Sequence, residues 1–250
     1  MKRHLVVAFA ALLVVPRLAA GQATDAGWGP SLRITPFVAV GPSFTQTGEA
    51  LLLTNGAFAT HDYELEFASG FGLGLAVEYL VWDRFAITAS GMWSSRGDSE
   101  LVDFEDEFIY EIDGTNLFMA KAALAVRLRE VDPDLQLHRL NASVFAGPAI
   151  IYDVPKSEAF TPPEASESTL HFALNMGIEG EMPFSNNKMA FTLGLEDNMI
   201  FWDTDDTLGR VASAISLQNP GASIAVETKR SHLWVLRAGL AWRLGRTPVQ

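Results

Sequence analysis

The last stretch of the chain, Ser231 to Leu244, leaves room for very few folds. Its sequence, SHLWVLRAGLAWRL, separates into two sets when read in twos. Trp234, Leu236, Ala238, Leu240, Trp242 and Leu244 are apolar, whereas Val235, Arg237, Gly239, Ala241 and Arg243 are small or basic. A β-strand turns successive side chains to opposite faces, so this strand has one greasy face and one face carrying two arginines. In a soluble sheet the greasy face would meet a second layer, and in a membrane sheet it would meet lipid. Trp234 and Trp242 stand eight residues apart, roughly 26 Å along a strand and about 20 Å after a ~40° tilt, close to the ~25 Å apolar band of a membrane barrel.

Seven earlier stretches alternate in the same way. Ser31–Phe44 sets Leu32, Ile34, Pro36, Val38, Val40 and Phe44 against Arg33, Thr35, Ala39, Gly41 and Ser43. Pro36 and Pro42 make it the least comfortable strand, since proline gives no donor to a ladder. Ala68–Leu80 sets Phe71, Leu73, Leu75, Val77 and Tyr79 against Gly72, Gly74, Ala76 and Glu78, and Arg84–Ser95 sets Phe85, Ile87, Ala89 and Trp93 against Thr88, Ser90 and Ser94. In Gly114–Arg129, Phe118 to Leu128 oppose Lys121, Arg127 and Arg129, with the parity running back through Ile112, Tyr110 and Phe108 as a projecting strand. Leu137–Tyr152 puts Arg139, Asn141, Ser143 and Gly147 on the polar side, Ser168–Gly180 puts His171, Asn175 and Glu179 there, and Lys188–Trp202 adds Thr192, Gly194 and Glu196. Asp197 falls on the apolar parity, so the membrane part of that strand is expected to end or bulge there.

The connections between these eight strands alternate long and short. The expected fold is therefore all-β: an eight-stranded antiparallel up-and-down transmembrane barrel over residues 31–244, with short periplasmic turns and long acidic extracellular loops. An aromatic residue of apolar parity stands near one end of every strand (Phe44, Phe71, Trp93, Phe118, Tyr152, Phe172, Phe201 and Trp234), and Tyr79, Phe85 and Trp242 stand near the other. These are the expected membrane-interface aromatics, because aromatic rings favour the headgroup level. The competing soluble fold is a lipocalin-like barrel with the apolar set inside. The many glycines and alanines of the polar parity argue against it, since they suit the crowded bore of an eight-stranded barrel.

The N-terminus agrees with export. MKRH, an apolar run from Leu5 to Val15 and small residues up to Ala23 read as a cleaved signal peptide over 1–23, followed by a lead-in over 24–30. Removing Lys2, Arg3 and Arg17 leaves 15 basic and 30 acidic side chains, a formal charge of −15. Nucleic acid is excluded as a partner, because its binding rests on neutralised phosphates. The absence of cysteine excludes a disulfide framework, a thiolate metal site and a lipid-modified N-terminal Cys.

With these features the chain resembles the small eight-stranded outer-membrane barrels, a group that includes the OmpA transmembrane domain, OmpX and OmpW. The resemblance covers about residues 31–244 and is architectural. Arg237, Gly239, Trp242 and Leu244 also match the polar-x-Gly-x-x-aromatic-x-hydrophobic pattern of the group's assembly signal, although that group usually ends on an aromatic and this chain continues through a tail at 245–250. The resemblance implies a bacterial outer-membrane location, outer-membrane lipid and the assembly machinery as partners, and a monomer.

The polar parity gathers Arg33, Glu78, Lys121, Arg127, Arg139, His171, Glu179, Glu196, Arg237 and Arg243. Buried charges must be paired, so the expectation is an ion-pair plug, with a gated pore as the competing reading. His171 invites a test for nucleophilic catalysis, but Ala173 stands where a serine on the same strand face would be needed. No enzyme and no resident cofactor are expected. The acidic clusters Asp62/Glu64/Glu66, Asp103/Glu105/Asp106/Glu107 and Asp203/Asp205/Asp206 suit weak Ca²⁺ or Mg²⁺ binding at most. The functional expectation is a membrane anchor whose acidic loops serve adhesion, envelope stabilisation or ligand contact. The alternative is an OmpW-like channel for small or hydrophobic solutes, which needs a lumen opening or a lateral gap in the wall, and the proline-containing first strand is the one hint of such a gap.

Overall fold

The structure, a computed structural model, describes residues 32–54, 57–81, 84–103, 109–112, 114–128, 141–156, 168–184, 188–201, 223–225 and 230–244. For 44–67, 99–103, 109–112, 223–225 and 230–231 the description covers the backbone and its pairing. The expected signal peptide, the lead-in, the C-terminal tail, Arg139 and the Asp203 cluster lie outside the described residues.

The chain runs through β1 (Leu32–Gly41), β2 (Phe44–Thr54), β3 (Ala57–Phe67), β4 (Gly70–Leu80), β5 (Phe85–Arg96), β6 (Ser99–Asp103) and β7 (Ile109–Ile112). It continues through β8 (Thr115–Arg127), β9 (Asn141–Pro155), β10 (Thr169–Pro183), β11 (Met189–Phe201), β12 (Ser223–Ala225) and β13 (Arg230–Leu244). Eight of these strands close into an all-antiparallel barrel in the order β1-β13-β11-β10-β9-β8-β5-β4. Closure is made by β1 against β13, with Leu32 opposite Leu244 and Val40 opposite Leu236.

Burial alternates along most of each barrel strand, with a break in β11 at Glu196, Asp197 and Asn198, which are all buried. In β1 the interior receives Arg33, Thr35, Phe37, Ala39 and Gly41, while Pro36, Val38 and Val40 are exposed. Phe71, Phe85, Trp93, Phe118, Phe172, Phe201, Trp234 and Trp242 are all exposed on the outer wall, and Tyr79 and Tyr152 are half-buried there. Among the described residues, the outer wall of the barrel is therefore predominantly apolar.

The bore of an eight-stranded barrel is only wide enough for side chains, and here large residues are placed opposite small ones. Phe37 pairs with Gly74, Phe145 with Gly177, Arg237 with Gly194 and Arg96 with Gly70. A Cβ on Gly177 would come 2.5 Å from the Phe145 ring, and one on Gly194 2.8 Å from Arg237 Nε. Glycine on the polar parity is thus the cavity into which the neighbouring strand's large side chain folds.

Five expectations need correction. The connections after the first and third predicted strands are not plain loops: β2, β3, β6 and β7, with β12 from the last connection, form a second sheet in the order β12-β2-β3-β6-β7. Phe44 consequently opens β2, opposite Phe67, instead of ending the first barrel strand. The parity through Ile112 and Tyr110 belongs to β7, separate from β8. The break comes at Gly114, whose N–H donates to Asp98 Oδ1 at 2.8 Å and where a Cβ would stand 2.5 Å from the Arg96 carbonyl. β10 runs on to Pro183, bringing Glu181 into the interior from what had the composition of a turn. β11 neither ends nor bulges at Asp197: its pairing with β10 and β13 is continuous to Phe201, because His232 of β13 partners the carboxylate.

The β1–β13 ladder skips Thr35 and Pro36, as the missing proline N–H requires, yet the seam is close-packed: a Cβ on Gly239 would meet the Pro36 carbonyl oxygen at 2.7 Å. A similar skip occurs between β8 and β9 at Pro148, and there a Cβ on Gly147 would overlap the Ala122 carbonyl. Gly91, by contrast, faces outward, and a Cβ there would have its nearest neighbour at 3.9 Å. Gly147→Ala is expected to lower the stability of the refolded barrel by about 1–3 kcal/mol through overpacking, and Gly91→Ala to leave it unchanged. Urea midpoints of the two variants check the contrast.

Candidate functional site

The interior is layered along the barrel axis. Nearest the end where the chain enters and leaves lies a charge network, built mainly from β1, β10, β11 and β13. Arg33, from β1, donates to Glu78 at 3.0 Å, Glu179 at 2.6 Å and Glu181 at 2.8 Å. Arg127 shares Glu78 at 2.6 Å. Arg237 bridges Glu179 and Glu196, each at 2.7 Å. Lys121 reaches across from β8 to pair with Glu196, and Arg243 pairs with Glu181. Among the described residues, five cations thus share four carboxylates in a single connected network.

Polar and aromatic neighbours complete this layer. Asn175 donates to Asn198 at 3.0 Å, and Asn198 donates to the Leu233 carbonyl at 3.2 Å. The Arg237 guanidinium lies 5.5 Å from the Phe37 ring centroid and 5.2 Å from that of Phe145, so two aromatic faces cover it. Apart from Lys121, the opposite wall of this layer, from β5 and β8, is lined by small groups: Thr88, Ser90, Ala123 and Ala125. Between them and the network is a cavity with room for about one water.

Toward the loop end the chemistry changes. Met92, Leu117, Met119, Ile151, Ile200, Leu233 and Val235 form one contiguous buried apolar cluster across the bore. Above it the interior becomes polar again, with Arg96, Asp153 and His171 all buried. Arg96 donates to the Ala68 carbonyl at 2.9 Å, and Thr169 Oγ1 lies 2.9 Å from His171 Nε2. Ser143 and Glu179 are opposite one another in the register, whereas His171 is opposite Ile151. Ser143 and Glu179, a serine and a carboxylate of the same inward parity, therefore do not assemble with His171. The described residues contain no cluster of three or more groups able to hold a metal ion.

The arrangement can resist water and ions in two ways. The network pairs each of its own charges, and the apolar cluster fills the bore with side chains that cannot replace an ion's hydration shell. Arg33, Glu78, Lys121, Arg127, Glu179, Glu196, Arg237 and Arg243 all belong to the network, whereas His171 lies beyond the apolar layer. Sequence reasoning missed Glu181, Phe37, Phe145, Arg96 and Asp153. Continuing the two-residue count past Gly180 and beyond Tyr152 would have found Glu181 and, with the opposite parity to Tyr152, Asp153.

No protein-family pattern matches the chain, and no curated protein sequence matches it. Its fold is similar to that of the outer membrane protein OprG from Pseudomonas aeruginosa, with a TM-score of 0.54 and 10% identity over 87% of this chain and 97% of that one. Neisserial surface protein A resembles it at a TM-score of 0.46 and 9% identity, covering 86% and 99% of the two chains. The attachment invasion locus protein Ail of Yersinia pestis does so at 0.41 and 11%, covering 87% and 100%. With the closed eight-stranded order, the likeness to OprG shows that this chain has the fold of a small eight-stranded antiparallel barrel.

Glu179 accepts from both Arg33 and Arg237. Glu179→Ala is expected to destabilise the barrel by about 3–5 kcal/mol, the usual cost of leaving buried charges uncompensated. The free energy of urea unfolding in detergent measures it.

Proposed function

We propose that this chain is an integral protein of the bacterial outer membrane, exported by a cleaved leader over 1–23, in which a closed barrel anchors a surface-exposed β-sheet. The barrel works as a monomer and is not an enzyme. The observation that carries the reading is the double closure of the bore: an ion-pair network at one end and an apolar layer across it nearer the other. The exposed apolar wall with its aromatic residues supports lipid as the surrounding phase.

The second sheet supports a contact role for the loop end. Three separate connections contribute strands to it, which is more organisation than a solvated loop requires. Its register brings Glu49 opposite Asp62, and Glu66, Glu100 and Glu111 into one row across three strands. Like charges placed directly opposite destabilise a sheet, so this acidic surface favours cationic contacts, with weak Ca²⁺ or Mg²⁺ association as one form of them. Adhesion and envelope stabilisation are the roles such a surface serves. A channel for small or hydrophobic solutes would need an opening through the bore or through the wall, and the close approach of Gly239 to Pro36 argues against the wall.

Planar-bilayer conductance of the refolded mature protein tests the reading, after a boiled-versus-unboiled gel shift has shown folding. Silence is expected. Lys121→Ala, which opens space only in the charged layer, is expected to remain silent as well. Discrete steps from the wild-type protein would replace the anchor with the channel.

A further inference from the structure

The chain passes between the barrel and the second sheet at several points, and many of those passages meet around a single side chain. β1 gives way to β2 after Gly41, β3 to β4 at Ala68 and Ser69, β5 to β6 at Gly97 and Asp98, and β7 to β8 at Gly114. Arg96, the last residue of β5, is buried where they come together. Its Nη1 donates to the Ala68 carbonyl at 2.9 Å, and its own carbonyl accepts from Lys156 Nζ, just beyond the end of β9. A Cβ on Gly41 would stand 2.5 Å from Arg96 Nη2, and one on Gly70 2.7 Å from Arg96 Cγ, so the side chain lies against the ends of β1 and β4. The backbone around it is tied as well. Gly97 N–H donates to the Ser69 carbonyl at 3.3 Å, Gly114 N–H to Asp98 Oδ1 at 2.8 Å, and Lys156 N–H to the Gly114 carbonyl at 2.9 Å.

A connection that only reverses the chain closes with bonds between its own ends. Here the bonds join one connection to the next. Ordering two long side chains such as Arg96 and Lys156 costs conformational entropy, and neither shapes a turn of its own. We propose that Arg96, Asp98 and Lys156 form a clasp that locks the second sheet to the loop end of the barrel, so that contact sheet and anchor move as one rigid body. This inference rests on the reading of the second sheet as the contact surface given above. Without the clasp, a load on the sheet passes down separate connections; with it, the load is shared among β1, β4, β5, β8 and β9. A surface held in one attitude also loses less freedom when it meets a partner, which is the advantage of preorganisation.

The test uses the full mature protein, refolded in detergent and checked by the boiled-versus-unboiled gel shift. The chain has no cysteine, so Gly91→Cys on the outer wall and Thr60→Cys in β3 give a unique pair of sites for nitroxide labels. Gly91 has open space beside it, and by strand rise the pair is within roughly 50 Å, inside the reach of pulsed dipolar spectroscopy. The labelled but otherwise unaltered protein is expected to give a single narrow distance distribution. Arg96→Met, and separately Asp98→Ala combined with Lys156→Met, are expected to widen it about twofold or more, as for an element left with few tertiary contacts. Asp98 and Lys156 are exposed, so their double variant leaves the bore intact and its gel shift unchanged. If Arg96→Met loses the gel shift, the double variant decides alone. A broad distribution before these changes, or a narrow one retained in the double variant, would overturn the proposal. So would loss of the gel shift in the double variant, because the two residues would then serve the barrel itself. Bilayer conductance stays the separate test of the anchor: steps there would remove the contact reading and leave the distance distribution as it is.

Discussion

The narrow bore of an eight-stranded sheet governs the rest of this structure. Once the wall closes, every inward residue competes for a space that side chains alone can fill. Two rules then apply together. Volume must be shared between facing strands, which is why Phe37, Phe145, Arg96 and Arg237 each have a glycine across the ladder. Charge must be compensated by neighbouring side chains, because a bore they fill leaves little room for solvent. The Arg33–Glu179–Arg237–Glu196–Lys121 chain satisfies the second rule with side chains that also satisfy the first.

The wall was the most legible part of the sequence. A membrane barrel exposes its sorting rule in every second residue, and both faces of β13 could be read directly from Trp234 to Leu244. What periodicity could not supply was where a strand stops. Glu181 stands in a run, EMPFSNN, with the composition of a turn, yet it remains in β10 because Arg33 and Arg243 hold its carboxylate. Phe37 and Phe145 contradicted the polar character of their face; they are inside because Gly74 and Gly177 leave them room. Asp197 contradicted the apolar face, and only the three-dimensional position of His232 reconciles it. The second sheet did leave a local signal. Thr54 pairs with Ala57, so Asn55 and Gly56 alone connect β2 to β3, and Asn-Gly between two alternating runs is the composition two-residue hairpins favour.

The two sheets divide the labour of the chain. In the barrel, polar groups are sequestered and the apolar surface faces out. In the second sheet, the register brings Glu49 opposite Asp62 and aligns Glu66, Glu100 and Glu111 across three strands. Its strands come from connections that begin and end on barrel strands, so the barrel's geometry sets where each one starts. A closed scaffold of this kind leaves the chemistry of contact to segments that can change without disturbing the bore.

The position of Arg33 also bears on how the chain reaches its folded state. Its carboxylate partners are 45, 146 and 148 residues away, on β4 and β10. β4 is beside β1 on one side, whereas the shorter way to β10 runs around the other side, through β13 and β11. An unclosed sheet can offer Arg33 its neighbour Glu78 but not the pair from β10. The network therefore acts as a late checkpoint in assembly: a partly wound ribbon retains unmatched charge, and the electrostatic reward arrives only with ring closure. Folding of this barrel should accordingly be slow and strongly cooperative, as for other proteins dominated by distant pairings.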